Sequence, residues 1–123
     1  MHELSIAMSI VEMAEEQSER HGAAKVTAVY LKLGPLSGVV KVALENAFSL
    51  AREGTILENA HLVIEQIPIV ARCPKCVADR TLPSMQAFIC PICQTPLSEI
   101  IHGKELEVVA LEIEDLEVPC PEL

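Results

Sequence analysis

Cys73-Pro74-Lys75-Cys76 and Cys90-Pro91-Ile92-Cys93 form two CxxC pairs separated by thirteen residues. Two residues between cysteines let the backbone close a tight knuckle that aims both sulfurs at one point. Two such knuckles supply the four thiolates of a tetrahedral zinc site. A closed set of four sulfurs leaves no open coordination position, so the expected role of Zn(2+) at Cys73, Cys76, Cys90 and Cys93 is structural. Two disulfides or unrelated thiols are competing readings of the same residues. A thiol redox pair is a third, although neither motif has a thioredoxin-like βαβ context.

The segment around the cysteines, 71–100, is turn-rich, with Pro74, Pro83, Pro91 and Pro96, and carries few hydrophobic residues. Metal binding, worth on the order of 10 kcal/mol in small zinc modules, is expected to hold it together. Upstream, residues 60–70 read as a strand, with Pro68 marking an edge or an exit. Downstream, Gly103 marks the return into a strand over 104–113. Further out, Leu4, Ala7, Met8, Val11 and Ala14 recur at helical spacing and predict an amphipathic helix over 3–20, stopped by His21-Gly22. Residues 25–33 predict a strand, with Thr27, Val29, Leu31 and Leu33 on one face. A turn over 34–38 precedes a helix at about 39–52, with Ser37 as its N-cap and Val40, Ala43, Leu44, Ala47, Phe48 and Ala51 as its buried stripe. The order predicts an α+β fold: a small three-stranded sheet flanked by two helices, with an inserted zinc-ribbon-like four-cysteine domain. The expected division is 1–70 plus 103–117 for the α+β domain, 71–102 for the zinc domain and 118–123 for a flexible tail.

Composition excludes several classes. The 123 residues suffice for one small core plus a satellite, and aromatics are so scarce (two Phe, one Tyr, no Trp) that the core must be aliphatic. A net charge of −9 argues against a nucleic-acid surface and for handling cations or docking on proteins. The start of the chain does not read as a signal peptide, and no apolar run is long enough to span a bilayer. Together with the CxxC usage, this predicts a reducing, cytoplasmic setting. Cys120, between two prolines, reads as a free thiol without a role.

The chain opens Met1-His2-Glu3. A histidine in position two permits an unusual chelate. The α-amine of Met1, the amide nitrogen of His2 and its imidazole Nδ1 close a five- and a six-membered ring around one metal. A tetragonal nitrogen set with a deprotonated amide suits Ni(II) or Cu(II). Glu3 can complete the square through its amide or carboxylate, as can another histidine or a partner's donor. The bulk of His2 is expected to protect Met1 from aminopeptidase trimming and so keep the amine on Met1. His102, beside Gly103, is a weaker candidate for a further donor and reads as an exposed loop histidine; His61 reads as a strand-face residue and His21 as a helix-end residue.

Together these features resemble the HypA/HybF family of hydrogenase-maturation nickel metallochaperones. The resemblance rests on Met-His-Glu-Leu-Ser-Ile-Ala at 1–7, Leu-Gly-Pro-Leu-Ser-Gly-Val at 33–39, Ala47-Phe48, Gly54-Thr55, the two CxxC pairs and Gly103-Lys104-Glu105-Leu106. It implies nickel bound at Met1, His2 and Glu3, zinc held by Cys73, Cys76, Cys90 and Cys93, and no catalytic residues. It also implies delivery of Ni(2+) to the large subunit of NiFe-hydrogenase, or to urease, together with a HypB-type nucleotide hydrolase; a homodimer is compatible with it, and neither nucleic acid nor a membrane is implied as a partner. A zinc-ribbon interaction module without a nickel role is the alternative. Three departures stand out. Val77 and Gln94 occupy positions where glycine often follows each CxxC in the family, so the knuckles are expected to be tighter or differently shaped. Val40-Lys41 replaces a Pro-Glu pair, which weakens the case for a carboxylate ligand there.

Overall fold

The computed structural model of the chain describes residues 2–83 and 87–115, without the side chains of residues 23, 24 and 115. Met1 and the tail that contains Cys120 lie outside the described residues. Helix α1 (Glu3–Arg20) leads into strand β1 (Ala23–Leu33), a 3-10 turn (Pro35–Ser37) and helix α2 (Lys41–Ala51). Strands β2 (His61–Gln66), β3 (Ile69–Cys73), β4 (Ala78–Leu82), β5 (Glu99–His102) and β6 (Leu106–Asp115) follow. They form two three-stranded sheets, ordered β2-β1-β6 and β4-β3-β5. The fold is α+β, with two helices and small sheets. The expected three-stranded sheet is the first of these; the second was not foreseen.

The chain divides into two compact units. The first comprises the described residues of Met1–Leu31, Val40–Ile64 and Val108–Leu123, and the second Lys32–Val39 and Glu65–Glu107.

In the first unit α1 packs on α2. The buried side of α1 is Ala7, Ile10, Val11, Ala14 and Ser18, whereas Leu4 and Met8 are about half exposed, at 46% and 51%. The apolar stripe read from the sequence is therefore rotated toward Ile10. Leu4 and Met8 share the helical spacing, but small Ala7 and Ala14 are the fully buried positions of the helix. On α2, Leu44, Ala47 and Phe48 are buried, whereas Val40 stands outside the helix at 60% exposure. At the far end of α1, His21 is the C-cap and its ring Nδ1 lies 2.9 Å from the Gln17 carbonyl, the helix-end role expected of it.

Ser37 is not the N-cap of α2. Its Oγ accepts from the Val39 amide at 3.2 Å and so closes the preceding turn, while Val40 occupies the cap position with no side-chain acceptor of its own. The acceptor comes from far away in sequence: Glu3 Oε2 lies 3.3 Å from the Val40 amide.

The segment 60–70 is two strands rather than one. Pro68 cannot donate to a ladder, and the chain leaves the first sheet after Gln66 and enters the second at Ile69. In the second unit β3 is central and antiparallel to both β4 and β5. Ile69, Ala71, Cys73, Leu82, Cys90 and Leu97 form its core, flanked by Leu36, Phe88 and Ile100. This core is larger than the segment's sparse hydrophobicity suggested, because two cysteines count among its buried apolar residues.

A close crossing fixes this unit. The Gly34 amide donates to the Glu105 carbonyl at 2.8 Å, and the Leu36 amide to that of Gly103 at 2.7 Å. Glu105 Oε1 also accepts from the Gly103 amide at 2.8 Å. A Cβ at Gly34 would overlap the Gly103 carbonyl, so only glycine fits there. Gly34→Ala is expected to destabilise the protein by about 3 kcal/mol or more. Gly22→Ala, which meets open space and adds only the cost of a positive φ, should lose about 1 kcal/mol. Chemical denaturation of the two variants measures the difference.

Candidate metal centre

The first knuckle is the tip of the β3–β4 hairpin. Cys73 pairs with Ala78 as the last rung, and Pro74-Lys75-Cys76-Val77 make the loop. The Cys76 amide points at Cys73 Sγ, 3.3 Å away. The second knuckle is a miniature hairpin closed by the Ile89–Pro96 bridge, with the Leu97 amide on the Phe88 carbonyl at 2.7 Å and the Cys90 amide on the Thr95 carbonyl at 2.9 Å. Inside it the Gln94 amide returns to the Cys90 carbonyl at 2.8 Å.

These two turns converge. The sulfurs of Cys73, Cys76, Cys90 and Cys93 all lie within 4.8 Å of one another. Cys73 and Cys93 are 3.5 Å apart and Cys76 and Cys90 are 3.9 Å apart. With metal–sulfur bonds of about 2.3 Å, the edge of a tetrahedral site is about 3.8 Å. The closest approaches pair cysteines from different knuckles, at non-bonded separation, and all four are free thiols. The four sulfurs are thus gathered as one compact set that could hold a metal ion, and they are not joined as disulfides.

Electrostatics distinguishes the four. The Arg80 guanidinium draws the Cys76 thiol down, but Cys93, burial and the other two sulfurs outweigh it and push the group up to about 11. Burial pushes Cys90 up, yet the amides of Cys93 and Ile92, the Cys93 sulfur and Arg80 bring it down to about 6. The Thr95 hydroxyl, 3.1 Å from Cys93 Sγ, and the Thr95 amide hold Cys93 below the ordinary thiol range. Without a metal, negative charge would concentrate on the Cys90 and Cys93 side of the cluster. A thiolate-binding cation removes that competition.

Both knuckles keep a left-handed residue where glycine was missed in the sequence: Val77 at φ 52° and Gln94 at φ 63°. A side chain in this backbone region puts local strain on each turn, most at β-branched Val77.

His2, exposed, sits at the N-cap of α1, where its carbonyl accepts from the Ile6 amide at 3.3 Å. Its ring makes no capping bond to the helix. Glu3 opens α1, with its carboxylate turned to its own amide and to that of Val40. Those two amides hold Glu3 below the usual carboxylate range, its own being the stronger influence. His102 is exposed, as expected, but ends β5 rather than standing in a loop, with Nδ1 3.2 Å from Glu105 Oε2. Thr95, Arg80 and the Glu3–Val40 contact were not foreseen. Only Arg80 left a trace in the sequence, as a charged residue alternating in phase with Leu82.

Residues 1–113 match the model of the HypA family, described as hydrogenase/urease nickel incorporation, metallochaperone. The chain belongs to the HypA family. A hydrogenase maturation factor HypA of Chloroflexus aggregans is 50% identical over 112 residues, covering 91% of this chain and 98% of that one. One from Roseiflexus sp. is 49% identical over 115 residues, covering 94% of each. The solution structure of the nickel metallochaperone HypA from Helicobacter pylori aligns with a TM-score of 0.65 and 25% identity over 94% of this chain and all (100%) of that one. HypA proteins are maturation factors, so this chain is a metallochaperone rather than an enzyme. Among the described residues, no helix is long and apolar enough to cross a membrane.

Two outcomes follow from the geometry. Val77→Gly should stabilise the second unit by about 1 kcal/mol, the left-handed strain relieved less the entropy of a glycine, seen as a higher unfolding midpoint. Because the folded Glu3 carboxyl lies below its ordinary value of 4.5, its contribution is complete above that pH and is lost as pH falls through the folded value. The stability difference between wild type and Glu3→Gln should therefore shrink during acid titration below about pH 4.

Proposed function

We propose that this HypA-family chain binds Ni(2+) at its N-terminus and hands it on for NiFe-hydrogenase maturation, with urease as a second destination. What carries the reading is the family match beginning at residue 1, where an exposed His2 stands at the head of α1 with its ring outside the helix's hydrogen bonding. Nickel here is cargo. The amine of Met1, the amide and Nδ1 of His2 and the amide of Glu3 offer four nitrogens in a row, a donor set that favours a square-planar ion. The engagement of the Glu3 carboxylate with the Val40 amide supports a role in fixing the chain start.

Zn(2+) at Cys73, Cys76, Cys90 and Cys93 is structural in this reading. The spacing and separation of the sulfurs support it, and when bound the ion supplies the crosslink that ties the two knuckles. Functionally, residues 1–70 plus 103–117 serve nickel and 71–102 serve zinc. The partners are a HypB-type nucleotide hydrolase and the hydrogenase large subunit or its maturation complex, met in the cytoplasm by a monomer or homodimer. Neither nucleic acid nor a membrane belongs among them, in keeping with the net charge of −9.

Nickel titration of untagged protein starting at Met1 tests the reading. One Ni(2+) per chain is expected. His2→Ala and a one-residue N-terminal extension should each abolish stoichiometric binding and leave zinc content unchanged. Unaltered nickel affinity in His2→Ala would overturn the site. Failure of the untagged protein to take up nickel would favour a zinc-bearing interaction module.

A further inference from the structure

Alternation along the β3–β4 ladder gives each face a distinct composition. On one face Ile69 is paired with Leu82, Ala71 with Arg80 and Cys73 with Ala78. On the other, Val70 is paired with Thr81 and Arg72 with Asp79. Directly paired residues of antiparallel strands project to the same side. Ile69, Ala71, Cys73 and Leu82 all belong to the core that also holds Cys90. Arg80 is therefore a cation placed on the core face, opposite the smallest side chain in the row. Its Nε is buried and has no hydrogen-bond partner, on the face that also carries Cys73. The nearby Arg72, on the opposite face, is committed to Asp79 at 3.3 Å. Lys75, in the knuckle, is exposed.

We propose that Arg80 is the built-in counter-charge of the four-thiolate site, contributed by β4 to balance the charge on its sulfurs and to keep the bound metal. This rests on the zinc reading given above. Four thiolates around one divalent cation leave a net charge of about −2 against an apolar core. Buried charge of that kind is retained only when paired and hydrogen-bonded. A guanidinium is suited to the task because its fork reaches two acceptors at once and it stays charged at any working pH. A positive charge beside thiolates also makes them less nucleophilic, so Arg80 shields the ligands from electrophiles as well as balancing their charge. Arg80 is a positioning residue: it acts on the ligands rather than on the ion.

The test uses full-length protein reconstituted with zinc, comparing wild type, Arg80→Met and Arg80→Lys. Met keeps the apolar length without the charge, and Lys keeps the charge without the fork. Zinc stoichiometry, zinc loss to a competing chelator and the rate of cysteine alkylation by iodoacetamide are read on each. Arg80→Met should lose zinc affinity about tenfold and be alkylated several-fold faster. Arg80→Lys should recover most of the affinity but less of the protection. Equal retention and alkylation in wild type and Arg80→Met, with one zinc in each, would overturn the counter-charge role while leaving the zinc site standing. A Lys variant no better than Met would reduce Arg80 to packing and overturn the role as well. A wild-type protein that takes up no zinc would overturn the zinc reading itself, and the role of Arg80 with it.

Discussion

Four thiols brought within 4.8 Å of one another, two of them buried and two half-buried, cannot all be charged unless a cation lies among them. Much of the second unit answers to that electrostatic constraint. Two hairpin tips bring the sulfurs together, and Thr95 and the knuckle amides accommodate charge on Cys93 and Cys90. The same sulfurs fill the space that aliphatic side chains would occupy in a larger domain, since Cys73 and Cys90 are wholly buried with Ile69, Ala71, Leu82 and Leu97. Core and metal centre are one structure here. Unit stability and metal occupancy are consequently the same equilibrium viewed from two sides.

That unit is tolerant at one point and intolerant at another. Its knuckles accept Val77 and Gln94 in left-handed backbone because both residues are at turn corners where only local strain is at stake. At Gly34 the chain accepts nothing larger, because the obstruction is the backbone of Gly103, which is itself committed to Leu36 and to the Glu105 carboxylate. Strain confined to one residue can be carried; an overlap between two backbones would have to move a whole turn.

The two helices, the first sheet and the cysteine quartet were legible in the sequence because each rests on a repeating spacing. Ala7, Val11 and Ala14 mark a helix face, Val29, Leu31 and Leu33 a strand face, and the CxxC pairs a metal knuckle. What escaped were features set by partners distant along the chain. Strands β4 and β5 are short, and alternation over Ala78–Leu82 is masked by Arg80, a charged residue on the inward face. Val40 looked buried by period but stands at the helix cap, where the period no longer applies. Ser37 looked like a cap by residue type, yet the Val39 amide is nearer to it along the chain. The break at Pro68 was visible as an interruption, but not as a change of sheet, since a missing donor says where a ladder stops and not where the next begins.

The bond from the Val40 amide to the Glu3 carboxylate spans 37 positions in the chain. Residue 3 is synthesised before residue 40 exists, so Glu3 has no access to that donor while α1 is being made. The first turn of α2 has no local side-chain cap to form early. The acceptor for the Val40 amide is supplied instead by the beginning of the chain. That bond holds the residue next to His2 against the start of α2, so the entry of the second helix helps to fix where the first begins.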